Sequence, residues 1–254
     1  MTYQWVDCDR VTVRQRYDRL AGYIPLFDRL LFLPPDMRRN AVEHLELSRG
    51  DGVLEVGCGT GNSFASLHHA VGSSGLIFGV DISPGMLRRA KKRCDANRWR
   101  NVELFECDAA DYRAQVPLDA VLFSLSYNTM SHHRSVLRNV WDQLRPGGRL
   151  VIMDAKVPPG FISKLLLPYS LWLMKWTLLG NPLFHPWEEL AAIIQHVDMS
   201  EYLFGSYYIC RATKPYVGAT HSAQSHATHE AANTYRMAAE RSFSAFSADG
   251  THMV

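Results

Sequence analysis

The segment VLEVGCGTGNSF, residues Val53 to Phe64, decides how the chain folds. It begins with aliphatic residues interrupted only by Glu55, a pattern typical of a buried strand. Three glycines follow at alternate positions, Gly57, Gly59 and Gly61. Glycine reaches backbone conformations that other residues rarely adopt and lets a ligand approach the main chain. A strand that ends in such a loop and leads into a helix is a nucleotide-site layout, at the end of the sheet where open α/β folds bind ligands.

The segments around this stretch alternate between short apolar runs and amphipathic helical patterns. This alternation predicts an α/β fold, a Rossmann-like, seven-stranded and mostly parallel sheet with helices on both faces. The predicted helices cover residues 62–71, 84–96, 132–144 and about 186–197, with Pro84 suited to a first helical turn and the glycines of Arg145–Gly148 suited to a helix end. The predicted strands are Val53–Val56, Leu76–Val80, Val102–Cys107, Asp119–Leu125, Arg149–Asp154, Tyr202–Phe204 and Tyr207–Ala212.

The remaining regions do not follow this alternation. Residues 1–50 lack a strand pattern and are broken by prolines, which predicts an N-terminal helical cap before the ligand-binding domain at 51–215. Residues 161–180 are strongly apolar and aromatic, and their longest uncharged run is too short to cross a bilayer, so we expect a helical insertion after the fifth strand. Residues 216–254 are rich in Ser, Ala, Thr and His and are expected to be a disordered tail. The histidines of this tail lack the spacing of a metal site, so no metal is expected.

Composition narrows the function classes. The 254 residues are 47% hydrophobic, and 27 basic against 25 acidic residues give a net charge of +2, so a nucleic-acid partner is not expected. The five cysteines form no framework and the first residues are polar, which favours a cytoplasmic protein. Nothing in the sequence indicates an oligomeric state.

The glycine spacing identifies the kind of ligand. A dinucleotide site has the pattern G-x-G-x-x-G, but here Asn62 stands where the third glycine belongs, and no Gly-Lys-Ser/Thr follows as in a phosphate-binding loop. The segment instead resembles the first motif of class I S-adenosylmethionine (SAM) methyltransferases, E/D-x-G-x-G-x-G, at Glu55, Gly57, Gly59 and Gly61. The resemblance implies SAM as cofactor. An acid beside the loop suits its cationic amino group.

Further matches to this family follow in order. The resemblance implies that Asp81, at the end of the second strand, accepts both ribose hydroxyls, although an acid there also suits a helix N-cap, for which Ser83 is the better candidate. It also implies that Asp108 meets the adenine amino group and that Ala109 offers its backbone amide. Ile82 and Met86 are candidates for the adenine faces, although both are equally consistent with ordinary core positions. Ser124, near the end of the predicted fourth strand, is the last cofactor-binding candidate.

The N-terminal segment RYDRLAGYIPLFDRLL indicates the methyl acceptor. It resembles the start of the ubiquinone/menaquinone-biosynthesis C-methyltransferases and of bacterial phosphatidylethanolamine N-methyltransferases, and Tyr17 matches the first tyrosine of their pattern. Tyr17 would then lie near the SAM site and is a further catalytic candidate, although helix packing explains it equally well. In SYNTMSHH, Asn128 and His133 also lie near the fourth strand, but we name Tyr127 and His132 as catalytic candidates because a methyl acceptor often needs a base.

Several functions stay open at this point. The favoured one is SAM-dependent methyl transfer to a hydrophobic or lipid-like acceptor, either a phospholipid with an amino head group or a quinone-like molecule. Segment 161–180 would then cap an apolar pocket, contact a membrane peripherally or bind a partner, or it would simply extend the core. The alternatives are O- or N-methylation of a soluble small molecule or natural product, and a non-catalytic SAM-fold binding protein. An RNA methyltransferase is not supported, because the chain lacks a basic stripe and the N/D-P-P-Y/F motif.

Overall fold

A computed structural model of the chain describes residues 10–23, 33–130, 132–158, 160, 180–181, 183–194 and 196–216. The described residues up to Lys214 form one compact unit. Apart from Gly180 and Tyr216, the predicted insertion at 161–180 and the predicted tail at 216–254 lie outside the described residues. Their boundaries as domains therefore stay predictions.

Within the described residues, seven strands form one sheet in the order β3-β2-β1-β4-β5-β7-β6. Its last strand in the sequence, β7, runs antiparallel to both neighbours, and the other pairings are parallel. The predicted seven-stranded, mostly parallel sheet is thus confirmed. The strands are β1 Gly52–Val56, β2 Leu76–Asp81, β3 Val102–Glu106, β4 Leu118–Ser124, β5 Leu144–Ala155, β6 Val197–Tyr202 and β7 Tyr207–Thr213.

Helices cover both faces of the sheet. The α-helices are α1 Arg10–Leu20, α2 Met37–Glu43, α3 Phe64–Val71, α4 Pro84–Asn97, α5 His133–Gln143 and α6 Pro186–Ala191. Because side chains alternate along a strand, Val53 packs with α2, α3 and α4 on one face, and Leu54 packs with α5 and α6 on the other. Every residue of β1 is buried, which explains why this strand is almost continuously apolar.

Three predicted elements differ from the structure. The helix expected at about 186–197 is shorter, since α6 ends at Ala191 and β6 begins at Val197. The glycines of Arg145–Gly148 were expected to end a helix, but α5 ends at Gln143 and these residues already belong to β5. Strand β6 was expected at Tyr202–Phe204 but ends at Tyr202. Leu203, Phe204 and Gly205 have φ angles of +47°, +55° and +81°, which an extended strand does not allow.

The first helix lies against the ligand-binding end of the sheet. Asp18 in α1 accepts hydrogen bonds from the Ser83 hydroxyl (2.6 Å) and from the Gly85 N–H (2.8 Å), and so fastens α1 to the start of α4. None of the described helices combines the length and the apolar character that crossing a bilayer requires.

Candidate active site

A cavity opens at the carboxyl ends of β1, β2 and β4, beside α1. It brings together residues that are far apart in the sequence, from Arg10 and Tyr17 in α1 to His132 before α5. Nine of the ten predicted cofactor-binding residues line it: Glu55, Gly57, Gly59, Asp81, Ile82, Met86, Asp108, Ala109 and Ser124. These nine predicted residues therefore lie together around one cavity.

The glycines of the loop have different surroundings: Gly59 borders the cavity, whereas Gly61 lies in the turn into α3. All three glycines have positive φ, but only Gly59 would carry a Cβ that meets no atom within 4 Å, so its backbone faces open cavity. A Cβ on Gly57 would lie 2.6 Å from the Ser126 Cβ. Gly61 does not line the cavity, and its Cβ would lie 2.5 Å from the Phe64 ring, so this glycine permits the turn into α3.

Glu55 is a buried acid with spare hydrogen-bonding capacity. Its side chain is 2% exposed, and burial raises its pKa from 4.5 to about 8, against the opposing effects of the Ser63 hydrogen bond and the Arg38 charge. Its Oε2 atom has no hydrogen-bond partner among the described residues. An unpartnered buried carboxylate oxygen is costly unless a ligand supplies a donor. This atom therefore points to a cationic or donor group in the cavity.

Asp81 is held by the backbone on both oxygens. Its Oδ2 accepts the Gly59 N–H and its Oδ1 accepts the Ser83 N–H, each at 2.8 Å. Burial raises its pKa to about 6, and these two N–H donors act in the opposite direction. Each carboxylate oxygen has a further lone pair, so the fixed carboxylate still has room to accept two ligand hydroxyls.

Asp108, which follows β3, forms an ion pair with Arg10, a residue that the sequence analysis did not assign to the site. Arg10 Nε lies 2.8 Å from Asp108 Oδ2, while the Ala110 N–H donates to Oδ1 at 2.8 Å. Ile82 and Met86 line the cavity between Asp81 and Asp108, and the Met86 N–H donates to the Ser83 hydroxyl. As expected, Ser83 is thus the N-cap of α4.

Two catalytic candidates, Tyr17 and His132, also line the cavity. The Tyr17 hydroxyl is hydrogen-bonded to the Thr129 side chain, and burial raises its pKa well above its ordinary value. Tyr17 is therefore a neutral phenol at physiological pH. His132 lies just before α5 and forms no side-chain cap hydrogen bond there. Met130 and Val136 add apolar surface beside it.

Tyr127 is a correction to the sequence analysis, because it is buried and does not line the cavity. Its hydroxyl donates to Glu189 at 2.7 Å, and burial together with this contact raises its pKa. His133 contacts the same Glu189 at 3.1 Å and packs against Phe184. These side chains join α5 to α6 and face away from the site.

Asn128 is also structural. Its N–H donates to the buried Asp154 at 3.0 Å, and its side-chain amide donates to the Ala155 carbonyl at 2.6 Å. Of the four polar candidates that follow β4, only His132 lines the cavity. Tyr127 and Asn128 are buried within the 3₁₀ turn Tyr127–Thr129, and His133 contacts Glu189 from the start of α5.

Arg10 and Arg38 line the cavity but were missed by the sequence analysis. Their positions depend on how α1 and α2 pack, and no residue spacing indicates that packing. Among the described residues, no group of three or more His, Cys, Asp or Glu side chains is arranged to hold a metal ion. The unpartnered Glu55 oxygen and the open backbone at Gly59 fit a cofactor with a cationic amino group, as SAM has.

Comparison with known proteins agrees with this geometry. The methyltransferase domain family matches residues 53–148. A demethylmenaquinone methyltransferase of Tropheryma whipplei is 30% identical over 164 residues, which are 63% of this chain and 66% of the relative. The chain thus spans just under two thirds of that relative's length. A protein-L-isoaspartate O-methyltransferase of Ignicoccus hospitalis is 31% identical over 149 residues, which are 54% of this chain and 68% of the relative.

Solved structures show the same fold. The chain is similar to Haemonchus contortus phosphoethanolamine N-methyltransferase 2, with a TM-score of 0.64 and 15% identity over 80% of this chain and 60% of that one. The shared fold, the matching domain and the Ignicoccus relative lead to one conclusion. The chain belongs to the SAM-dependent methyltransferases, with SAM as its cofactor.

Proposed function

We propose that the protein transfers a methyl group from SAM to a hydrophobic, quinone-like small molecule. The observation that carries the proposal is the composition of the cavity described above. The glycine loop and three acids line it, and so do Tyr17, Met130, His132 and Val136. We assign the loop and the acids to the donor and the other four residues to the acceptor, because apolar surface beside a few polar groups suits a hydrophobic acceptor.

The donor end has a group for each part of the cofactor. Asp81 would accept the ribose hydroxyls, since its carboxylate is fixed by two backbone donors. Asp108 and Ala109 would contact the adenine, with Ile82 and Met86 beside its faces. Glu55 would accept the amino group through its unpartnered oxygen. When bound, SAM supplies an electrophilic methyl group on its sulfonium.

The acceptor end has one candidate base. A phenol or a hydroquinone carbon must lose a proton during methylation, and the His132 imidazole, which lines the cavity, would accept that proton. Tyr17 would position the acceptor as a neutral hydrogen-bonding phenol, because burial opposes its ionisation. The placement of the acceptor in line with the methyl group and the exclusion of water contribute the rest of the rate enhancement.

The choice of acceptor rests on two supports. The Tropheryma relative is named for demethylmenaquinone, a hydrophobic quinone. Met130 and Val136 give this chain's own cavity apolar surface beside His132. A phospholipid with an amino head group is the alternative within the same class, and segment 161–180 would then contact the membrane that holds it.

The experiment is a methyl-transfer assay with labelled SAM and three acceptors: a reduced demethylated naphthoquinone in detergent, phosphatidylethanolamine vesicles and a panel of soluble phenols. We expect turnover with the naphthoquinol, abolished by Asp81→Asn and preserved by Asp95→Asn, an exposed acid paired with Lys91. Turnover on vesicles alone would establish the phospholipid alternative. Turnover on soluble phenols alone would refute a hydrophobic acceptor.

Calorimetry with the product S-adenosylhomocysteine (SAH) separates an enzyme from a non-catalytic binding protein. Binding of SAH without turnover of any acceptor would favour the non-catalytic alternative. Absence of SAH binding would refute the assignment of the cavity as the cofactor site.

A further inference from the structure

The turn between β6 and β7 lies at the same end of the sheet as the cavity. Strand β7 runs antiparallel to β5, and its first residue, Tyr207, pairs with Ala155, the last residue of β5. Just beyond β5, the Lys156 N–H donates to the Ser206 carbonyl at 2.9 Å. Because β5 is parallel to β4, the turn Leu203–Ser206 is at the carboxyl end of the parallel strands, where the cavity opens.

This turn exposes two large apolar side chains side by side. Phe204 is 93% exposed, more than any other large apolar residue in the part of the chain that the structure describes, and Leu203 is 41% exposed. Neither residue belongs to the core on either face of the sheet. The packing of the fold therefore does not explain why they are apolar.

The backbone of the turn is also unfavourable for these residue types. Leu203 and Phe204 have φ angles of +47° and +55°, a region that Gly and Asn adopt more readily than bulky residues do. Two hydrogen bonds of 3.1 Å close the turn, from the Gly205 N–H to the Tyr202 carbonyl and from the Ser206 N–H to the Leu203 carbonyl. A strained conformation that holds an apolar side chain in water indicates a functional role for that side chain.

A second segment exposes an apolar side chain at the same end of the sheet. Leu183 is 41% exposed, and its N–H donates to the Asn181 side chain at 3.0 Å. The Asn181 N–H in turn donates at 2.7 Å to the carbonyl of Asn128, in the 3₁₀ turn that follows β4. Exposed apolar groups from two separate parts of the chain thus lie at the end of the sheet that contains the cavity.

We propose that Leu203 and Phe204 insert into the surface of a phospholipid bilayer and bring the cavity next to an acceptor dissolved in it. This inference rests on the proposed function, because it takes the acceptor to be hydrophobic. Leucine and phenylalanine are residues with which peripheral proteins enter the boundary between head groups and acyl chains. A second copy of the chain is a poorer occupant, because the edge strand β6 carries Asp198 and Glu201, and charges on an edge strand oppose pairing.

The test measures how the full chain partitions onto phosphatidylcholine vesicles by co-sedimentation. Phe204→Asn should lower the partition coefficient about 10-fold, the effect of losing most of one buried aromatic side chain, and should fold normally because Asn tolerates a positive φ. Phe204→Trp should raise the partition coefficient. Val116→Asn is the matched control, since Val116 is 43% exposed at the opposite end of the sheet, just before β4, and this variant should partition like the wild type.

Turnover provides a second readout. With a naphthoquinol that carries a long apolar tail in the same vesicles, Phe204→Asn should raise the apparent KM, whereas SAH affinity and the turnover of a tail-free naphthoquinol in solution should not change. Equal partition of the wild type and Phe204→Asn would overturn the proposal. So would a dimer of the wild type, seen by analytical ultracentrifugation, that Phe204→Asn abolishes. Failure to methylate any naphthoquinol would refute the proposed function instead, and the partition measurement would still decide the contact with the bilayer.

Discussion

Replacing Glu55 with glutamine should stabilise the protein relative to the wild type, and this difference should increase as the pH rises. Glu55 lies in the middle of β1, where its side chain is 2% exposed and its Oε2 atom lacks a partner among the described residues. Burial raises its pKa from 4.5 to about 8. Glutamine has nearly the same shape and carries no charge at any pH, so the substitution removes the titration and little else.

The magnitude follows from the difference between the folded and unfolded pKa. The folded state keeps the Glu55 proton up to about pH 8, whereas the unfolded chain releases it near 4.5. The stability that the neutral acid contributes is thus fully present below pH 4.5 and is lost as the pH rises to 8. One pKa unit corresponds to about 1.4 kcal/mol, so the loss amounts to at most about 5 kcal/mol.

The assay is urea unfolding of wild type and Glu55→Gln at pH 5, 6, 7, 8 and 9 without cofactor. The variant should gain stability relative to the wild type by up to about 1.4 kcal/mol per pH unit, and the gain should level off above pH 8. Glu103→Gln, at an exposed position on β3, should follow the wild-type profile. Parallel profiles for wild type and Glu55→Gln would refute the assignment of a buried, protonated Glu55.

Three further predictions concern single side chains around the cavity. Gly59→Ala should cost about 1–2 kcal/mol of stability, as expected for alanine in a left-handed conformation, and should weaken SAH binding, whereas Gly61→Ala should unfold at lower temperature because of its clash with Phe64. Calorimetry and thermal unfolding measure both effects. Tyr127→Phe should lower the free energy of unfolding by about 1–2 kcal/mol and leave SAH affinity unchanged, since its hydroxyl donates to Glu189 and its side chain does not line the cavity; a loss of SAH affinity would contradict this position. His132→Ala should lower kcat about 100-fold or more at unchanged SAH affinity, while His69→Ala, an exposed residue of α3, should retain full turnover; equal kcat values would exclude His132 as the base.

Much of the fold was predictable because the sheet is buried on both faces. Strands such as β1 and β4 must then be apolar along nearly their whole length, and this pattern is visible without knowledge of packing. Strand β6 at the sheet edge was misplaced, because half-exposed residues such as those of Val197–Tyr202 have no apolar run. The edge pairing with β7 determines its position.

The donor half of the site was predictable for a different reason. Its residues lie at or just after the carboxyl ends of neighbouring strands, and parallel strands bring these ends together. Arg10 and Arg38 come from helices whose contact with the sheet leaves no sequence pattern. Tyr127 was wrongly predicted to belong to the site. It lies close to the site in the sequence, but its hydroxyl forms a hydrogen bond with Glu189 away from the cavity.

The buried acids connect stability with cofactor binding. In the protein without ligand, burial disfavours the charges of Glu55 and Asp81, as their raised pKa values indicate. A neutral side chain in place of Glu55 would give a more stable fold at neutral pH, so packing alone does not explain why an acid is present at this position. A ligand with a cationic amine and ribose hydroxyls supplies the missing partners, and its binding therefore stabilises the ionised acids. Substitutions that neutralise Glu55 should consequently raise the stability of the free protein and lower its affinity for the cofactor together, because both effects come from the same unpartnered carboxylate.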